Sequence, residues 1–285
     1  EMESTAELDR LYEFFNPLLG RLNECGKVLV VGRNFDEDRA PEGSAVQEAL
    51  EGFVRSLSKE VGGYGQTANL VRVAEDAESS LPGPVRFLTS DRAAYVNGQS
   101  IEVNGEADDG LEPSWRFPLD GKVALVTGAA RGIGAQTSRI LAREGATVVC
   151  LDLPSADEQL SEVARETNGE VLMADITDED APEKIARKLD EDFGGLDILV
   201  NNAGITRDKT LKYMGRDYWD SIMAVNLDGA RRITEKVVED GVLNENGRVI
   251  CLSSIAGISG NKGQTNYAAS KAGVIGLVEG YAEEL

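Results

Sequence analysis

Lys122-Val-Ala-Leu-Val-Thr127-Gly128-Ala-Ala-Arg131-Gly132-Ile133-Gly134 is the stretch on which the fold turns. A short apolar run leads into a glycine-rich turn, and helical spacing follows to Glu144. That order reads as strand, tight turn, helix. Glycines at 128, 132 and 134 let the backbone bend sharply and let a pyrophosphate approach the start of the helix. Unsatisfied N–H groups and the helix dipole favour an anion there. The spacing is Gly-x-x-x-Gly-x-Gly, not Gly-x-Gly-x-x-Gly, so the nucleotide reading rests on the strand–turn–helix context. Arg131 and Ile133 lie inside the turn and are placed at the cofactor with the glycines.

Outward from this turn the pattern alternates. Strands are expected at 122–127, 147–152, 170–174, 197–200 and 248–253. Helices are expected at 132–144, 155–166, 181–193, 216–240 and 266–284. Short apolar strands alternating with helices imply a parallel sheet covered on both faces, a Rossmann-type doubly wound α/β domain. The second strand ends at Asp152, eighteen residues after Gly134. A carboxylate there accepts from the adenosine ribose and repels a 2′-phosphate, favouring NAD(H) over NADP(H), although Arg131 could help bind a phosphate. Asp175-Ile176 follows the third strand, where the aspartate could accept from an adenine amine. Asn201-Asn202-Ala203-Gly204 follows the fourth, at the carboxyl edge where ligands bind.

Near the end, Tyr267-Ala-Ala-Ser-Lys271 places a phenol and an ammonium four residues apart, on one helical face. Ser254 lies thirteen residues upstream of Tyr267. A cation beside a tyrosine favours phenolate and so makes the phenol a better proton donor near neutral pH.

Together, Thr127-Gly-Ala-Ala-Arg-Gly-Ile-Gly134, Asp175, Asn201-Asn-Ala-Gly204, Asn226, Ser254 and Tyr267-x-x-x-Lys271 resemble the short-chain dehydrogenase/reductase family, from about Leu119 to Leu285. Gly204-Ile-Thr-Arg-Asp-Lys209 and Gly263-Gln-Thr-Asn-Tyr-Ala-Ala-Ser-Lys-Ala-Gly273 resemble its 3-oxoacyl-[acyl-carrier-protein] reductase branch. Tyr12-Glu-Phe-Phe-Asn-Pro-Leu-Leu19 and Phe87-Leu-Thr-Ser-Asp-Arg-Ala-Ala-Tyr-Val-Asn-Gly-Gln99 extend the likeness to the high-molecular-weight, two-lobed members. The resemblance implies NAD(P)H-dependent reduction of a 3-oxoacyl thioester, carried by acyl carrier protein or CoA, in a cytoplasmic homo-oligomer. It implies Tyr267 as general acid, Ser254 orienting the carbonyl, Lys271 on the nicotinamide ribose, and Asn226 anchoring a water that links Lys271 to solvent. The alternatives are another dehydrogenase of the family or a cofactor-binding module without turnover. The family's catalytic unit ordinarily continues past the Tyr–Lys helix, so a further strand, a substrate-covering segment and a final strand are expected beyond Leu285.

Composition narrows the chemistry. Of 285 residues, 41% are hydrophobic, enough for a core, and no apolar run is long enough for a membrane span. There is no histidine, which excludes Ser-His-Asp and Cys-His catalysis within the chain. Fifty acidic residues face 29 basic ones, a net charge of −21, which argues against nucleic acid. It also disfavours an acidic carrier unless a local basic patch exists; Arg207, Lys209, Lys212, Arg231 and Arg232 are candidates. Cys25, Cys150 and Cys251 are scattered and odd in number, and the latter two are expected as buried free thiols in a reducing compartment.

A polar, acidic stretch at 104–113 reads as linker. It divides a non-catalytic α/β lobe at 1–107 from the catalytic domain at 118–285, with the linker proper at 108–117. The first lobe echoes the second. Gly26-Lys-Val-Leu-Val-Val-Gly32 resembles Gly247-Arg-Val-Ile-Cys-Leu-Ser253, and the helices that follow align with Gly43 opposite Tyr267 and Gln47 opposite Lys271. The first lobe is therefore expected to be a degenerate Rossmann-like copy without the chemical pair.

Overall fold

A computed structural model describes residues 4–34, 40–104 and 116–285. The expected 108–117 linker falls almost wholly outside the described residues. The chain divides into two compact units, Glu1–Glu112 and Pro113–Leu285.

In the first unit, helix α1 (Asp9–Leu19) precedes strand β1 (Lys27–Arg33), helix α2 (Pro41–Val61), strand β2 (Thr67–Val73), helix α3 (Pro82–Leu88) and strand β3 (Ser100–Val103). The strands form a parallel sheet in the order β1-β2-β3. Every residue of β2 is buried, as expected of the central strand of a covered parallel sheet. Val46, Leu50, Val54, Leu57 and Val61 recur at three- and four-residue spacing and make the buried stripe of α2. Residues 86–103 end in β3, which pairs with β2 in this unit's sheet. Gln47, aligned with Lys271, is buried and reaches back to the end of β1, where its Oε1 accepts from the Arg33 N–H at 2.8 Å.

The second unit alternates as its sequence implies. It runs β4 (Val123–Thr127), α4 (Gly132–Arg143), β5 (Thr147–Asp152), α5 (Asp157–Thr167), β6 (Glu170–Met173), α6 (Ala181–Phe193) and β7 (Leu196–Asn201). Then come α7 (Arg216–Met223), α8 (Gly229–Glu239), β8 (Leu243–Cys251), α9 (Ile255–Ser259) and α10 (Thr265–Glu284). All pairs are parallel in the order β6-β5-β4-β7-β8, the doubly wound pattern. One face is covered by a core around Leu160 and Val163, the other by one around Ile185, Leu189 and Ile233.

Most boundaries fall within two residues of expectation, and two departures are larger. The single helix expected at 216–240 is interrupted by a π turn, Ala224–Asp228, holding Asn226. A π turn inserts one residue into the helical ladder, and these insertions concentrate at functional sites. β8 begins at Leu243, with a register shift opposite Leu196–Ile198, and ends at Cys251. Ser253 and Ser254 thus lie in the loop beyond the strand. Of the thiols expected to be buried, Cys150 is; Cys251 is half-buried because β8 is an edge strand.

Asp197 fastens β7 to the start of β4, accepting from the Val123 N–H at 2.8 Å and from Lys122 Nζ at 3.1 Å. Burial pushes its carboxyl up, but these donors outweigh burial and hold it below the usual aspartate value. A depressed carboxyl stabilises the fold above its unfolded pKa, and that contribution is lost as pH falls through the folded pKa. Asp197→Asn is expected to cost about 1–2 kcal/mol at pH 7. In urea melts the deficit should shrink toward zero on acidification below the normal aspartate range.

Candidate active site

The strand order reverses between β4 and β7, and the turns that leave their carboxyl ends lie at that point. This is where open α/β sheets bind ligands. The glycine turn leaves β4 at this point, and Asn202-Ala203-Gly204 leaves β7. Thr127 ties the two together: its Oγ1 accepts from the N–H groups of Asn202 at 3.1 Å and Ala203 at 3.0 Å. Asn202 Nδ2 in turn donates to the carbonyls of Thr127 at 2.8 Å and Gly128 at 3.1 Å.

The glycines divide by role. A Cβ on Gly134 would lie 2.1 Å from the Gly128 carbonyl oxygen, so the close packing of helix on turn requires glycine. Gly132 has φ +59°, yet a Cβ there would meet nothing within 4 Å. The space before it is open. α4 starts at that space with no side-chain cap and no acidic residue in its first turn, and Arg131 and Ile133 are exposed beside it. An anionic cofactor phosphate fits this cradle. Gly134→Ala is expected to weaken nicotinamide-cofactor binding by roughly 100-fold or more, about 3 kcal/mol, as read by fluorescence titration.

Asp152 ends β5 and faces the same turn. Its Oδ2 accepts from the Ala130 N–H at 2.9 Å and its Oδ1 from the Leu153 N–H at 2.8 Å, which fixes the carboxylate. Asp175 Oδ1 accepts from the N–H and hydroxyl of Thr177, at 2.9 and 2.7 Å, leaving Oδ2 for a ligand donor. Ile176 is buried in the core against Gly229, so only its backbone can face a ligand.

Tyr267 and Lys271 stand in the first half of α10, with Lys271 Nζ 5.9 Å from the tyrosine ring centroid. Lys271 is 5% exposed and donates to the Leu252 carbonyl at 2.6 Å. Burial pulls its ammonium below the usual lysine range, with Cys251 opposing. Ser254 caps α9, its Oγ accepting from the Ala256 N–H at 3.2 Å. Two further contacts hold this loop against α10. Ser253 Oγ donates to the Lys271 carbonyl at 2.7 Å, and Gly257 packs so closely that a Cβ would lie 2.7 Å from the Ala272 nitrogen. Gly204 is the link to β7: a Cβ there would lie 3.4 Å from Asn226 Oδ1 and 3.6 Å from Lys271 Nζ.

Asn226 is 2% exposed, and its amide pairs with Ile205 in both directions, at 2.8 and 3.0 Å. Its Nδ2 also meets Ser270 Oγ at 3.3 Å. The side chain therefore braces the segment after β7 against α10. Ser270 passes the brace on by donating to the Tyr267 carbonyl at 2.8 Å.

Sequence reasoning passed over Asn266. It is fully buried, accepts from the Tyr267 N–H at 2.8 Å, and donates to the Arg207 and Tyr218 carbonyls at 3.1 and 3.2 Å. Thus both backbone groups of Tyr267 are held by side chains. The only sequence signal was a polar residue at the buried start of an otherwise apolar helix face. Thr127, Ser253 and Ser270 were likewise visible only as members of motifs.

The basic candidates separate. Arg231 is taken up by Asp228 and Glu235, and Arg232 by the carbonyls of Thr177, Asp178 and Glu179, so these two do not form a free patch. Arg207, Lys209 and Lys212 are exposed on the segment after β7. Among the described residues there is no group of three or more acidic or cysteine side chains placed to hold a metal, and no helix is long and apolar enough to cross a membrane.

The model of the short chain dehydrogenase family matches residues 122–285. The 3-oxoacyl-[acyl-carrier-protein] reductase FabG of Thermotoga maritima is 44% identical over 172 residues, spanning 59% of this chain and 69% of that protein. The Escherichia coli protein of the same name is 41% identical over 167 residues, 59% of this chain and 68% of its own length. Nodulation protein G of Rhizobium meliloti is 39% identical over 171 residues, 59% of this chain and 69% of that protein. With the switch-point cradle and the tyrosine–lysine helix, these matches place the chain in the short chain dehydrogenase family of NAD(P)-dependent oxidoreductases acting on CH–OH groups.

Proposed function

We propose that the chain reduces a 3-oxoacyl thioester to the 3-hydroxyacyl thioester with NADH. The observation that carries the reading is the braced Tyr267–Lys271 pair, with Lys271 Nζ against Gly204 in the loop whose Asn202 and Ala203 pack on the glycine turn. The substrate class comes from the printed names of the similar FabG proteins. The bound nicotinamide supplies the hydride. The carbonyl oxygen gains negative charge as its carbon is reduced, and donors aimed at it stabilise that charge. Ser254 has its hydroxyl proton available to orient the oxygen, and Tyr267 delivers the proton. Lys271, with one N–H on Leu252, keeps two for the ribose and for the phenol's electrostatic support. Asn226 holds the segment along which a water would connect Lys271 to solvent.

The fixed Asp152 carboxylate supports NADH as the cofactor, because a 2′-phosphate would meet a charge that cannot turn away. Asp152→Ser is expected to lower the NADH-over-NADPH ratio of kcat/KM by roughly tenfold or more, about 1.4 kcal/mol. An unchanged ratio would remove Asp152 from cofactor choice.

The reading is tested by following NADH and NADPH oxidation with acetoacetyl-CoA, on this chain and on a form extended beyond Leu285. Turnover only in the longer form assigns an essential part of the substrate site to residues past Leu285. No oxidation in either form refutes the thioester assignment.

A further inference from the structure

Carboxylates outnumber cations in this chain, 50 to 29, and several cations, among them Arg72, Arg139 and Arg231, are held in ion pairs. The segment after β7 gathers several cations without such a partner. Arg207, Lys209 and Lys212 are all exposed and make no ion pair among the described residues. The Lys209 N–H donates to the Gly263 carbonyl at 2.8 Å, which brings the neighbouring Lys262, also exposed and without an ion pair there, to the same place. The one acidic side chain inside the segment, Asp208, accepts from Gln264 Nε2 at 2.9 Å. Arg207, Asp208, Lys209, Lys212 and Lys262 together carry a formal charge of +3 on a chain of −21. Leu211 and Tyr213 are 59% and 67% exposed within it, and Lys212 lies over the Tyr213 ring at 5.4 Å from its centroid.

The patch is fastened to the chemistry. Asn266 donates to the Arg207 carbonyl and accepts from the Tyr267 N–H, so one side chain separates the backbone of the cationic segment from that of the proposed acid. The patch therefore lies one hydrogen-bonded side chain away from the Tyr267 backbone and combines cations with exposed apolar surface. Thioesters built on a pantetheine arm have this form: an apolar acyl end, a flexible amide arm and a phosphate. Phosphate is recognised by lysine and arginine as a charge, and a local positive field concentrates it even on an acidic protein.

We propose that Arg207, Lys209, Lys212 and Lys262 bind the phosphate of the substrate's phosphopantetheine arm. This rests on the thioester reading above. The test compares the wild type with the surface variant Lys209→Glu/Lys212→Glu/Lys262→Glu. Substrates are acetoacetyl-CoA, acetoacetyl-acyl-carrier-protein, and acetoacetyl-N-acetylcysteamine, which lacks phosphate; CoA binding is read by calorimetry at low and high salt. We expect the variant to weaken CoA binding and raise KM for acetoacetyl-CoA by roughly tenfold at low salt. The gap should narrow at high salt, and KM for the phosphate-free thioester should be unchanged. An effect on the carrier-protein thioester alone would assign the patch to the carrier's surface and overturn the phosphate assignment. Equal changes for all three substrates, or wild type that binds no CoA, would overturn it too. If neither protein turns over any thioester, the functional reading fails; CoA bound by the wild type and lost in the variant would still support the phosphate site.

Discussion

Tyr267→Phe is expected to lower kcat for thioester reduction by about 10³-fold while leaving NADH affinity within about threefold. The substitution removes only the hydroxyl. The ring keeps its place over α10, because its backbone is held by Asn266 and Ser270 and not by the phenol. The cradle at Gly128–Gly134 is untouched, so the cofactor should bind normally. What disappears is the proton donor to an oxygen that acquires charge during reduction, and a positioned acid is typically worth about 10²–10⁴ in rate. Stopped-flow turnover and fluorescence titration of NADH on the same preparation separate the two effects. Near-normal turnover would remove Tyr267 from the acid role. Lost NADH binding would mean that the phenol belongs to the cofactor site instead.

Lys271→Met is expected to reduce kcat/KM by about 10²–10³, and to do so with a stability signature that sets it apart from ordinary damage. The ammonium is buried, which disfavours its charged form and lowers its pKa below 10.5. Below the folded pKa both folded and unfolded chains carry the proton, and the folded state bears the full cost of the buried charge. As pH rises through the folded pKa toward the unfolded one, that cost disappears, because the unfolded chain then binds more protons than the folded one. Wild-type stability should thus rise with pH relative to Lys271→Met. Comparing Tm for the two proteins at pH 7 and near pH 10 checks the sign. Methionine retains most of the side chain's volume, so a parallel pH dependence in both proteins would mean that Lys271 is not burdened by burial as described.

Much of the second unit could be read from its sequence because its signals are local. An apolar strand, a glycine turn and a helical stripe each lie within a few residues, so Lys122–Glu144 announced both its structure and its ligand. The π turn was not legible. Residues 216–240 keep an unbroken helical pattern, and the extra residue is fixed by Asn226 bonding to Ile205, twenty-one positions away. Asn266 escaped for the same reason: its partners at Arg207 and Tyr218 become neighbours only when α7 and α10 pack. Arg231 and Arg232 looked like free cations because carbonyl acceptors from the 177–179 loop and acids on the same helix leave no mark in composition. The early start of β8 was hidden by its polar, edge-strand alternation. In the first unit, the repeat predicted a glutamine opposite Lys271. Gln47 does sit on the long helix and reach back to the preceding strand, as Lys271 does, but it meets an N–H where Lys271 meets a carbonyl.

In the proposed reaction, hydride from NADH reaches the 3-carbonyl of an acyl thioester while Tyr267 protonates the oxygen. The most direct test is a single turnover of acetoacetyl-CoA with NADH deuterated at the transferred position, in wild type and in Tyr267→Phe, with the product examined by mass spectrometry. The expected product is 3-hydroxybutyryl-CoA carrying one deuterium on carbon 3 from the wild type, and almost none from the variant although it binds the same NADH. Product without deuterium at carbon 3, or equal labelled product from both proteins, would contradict it.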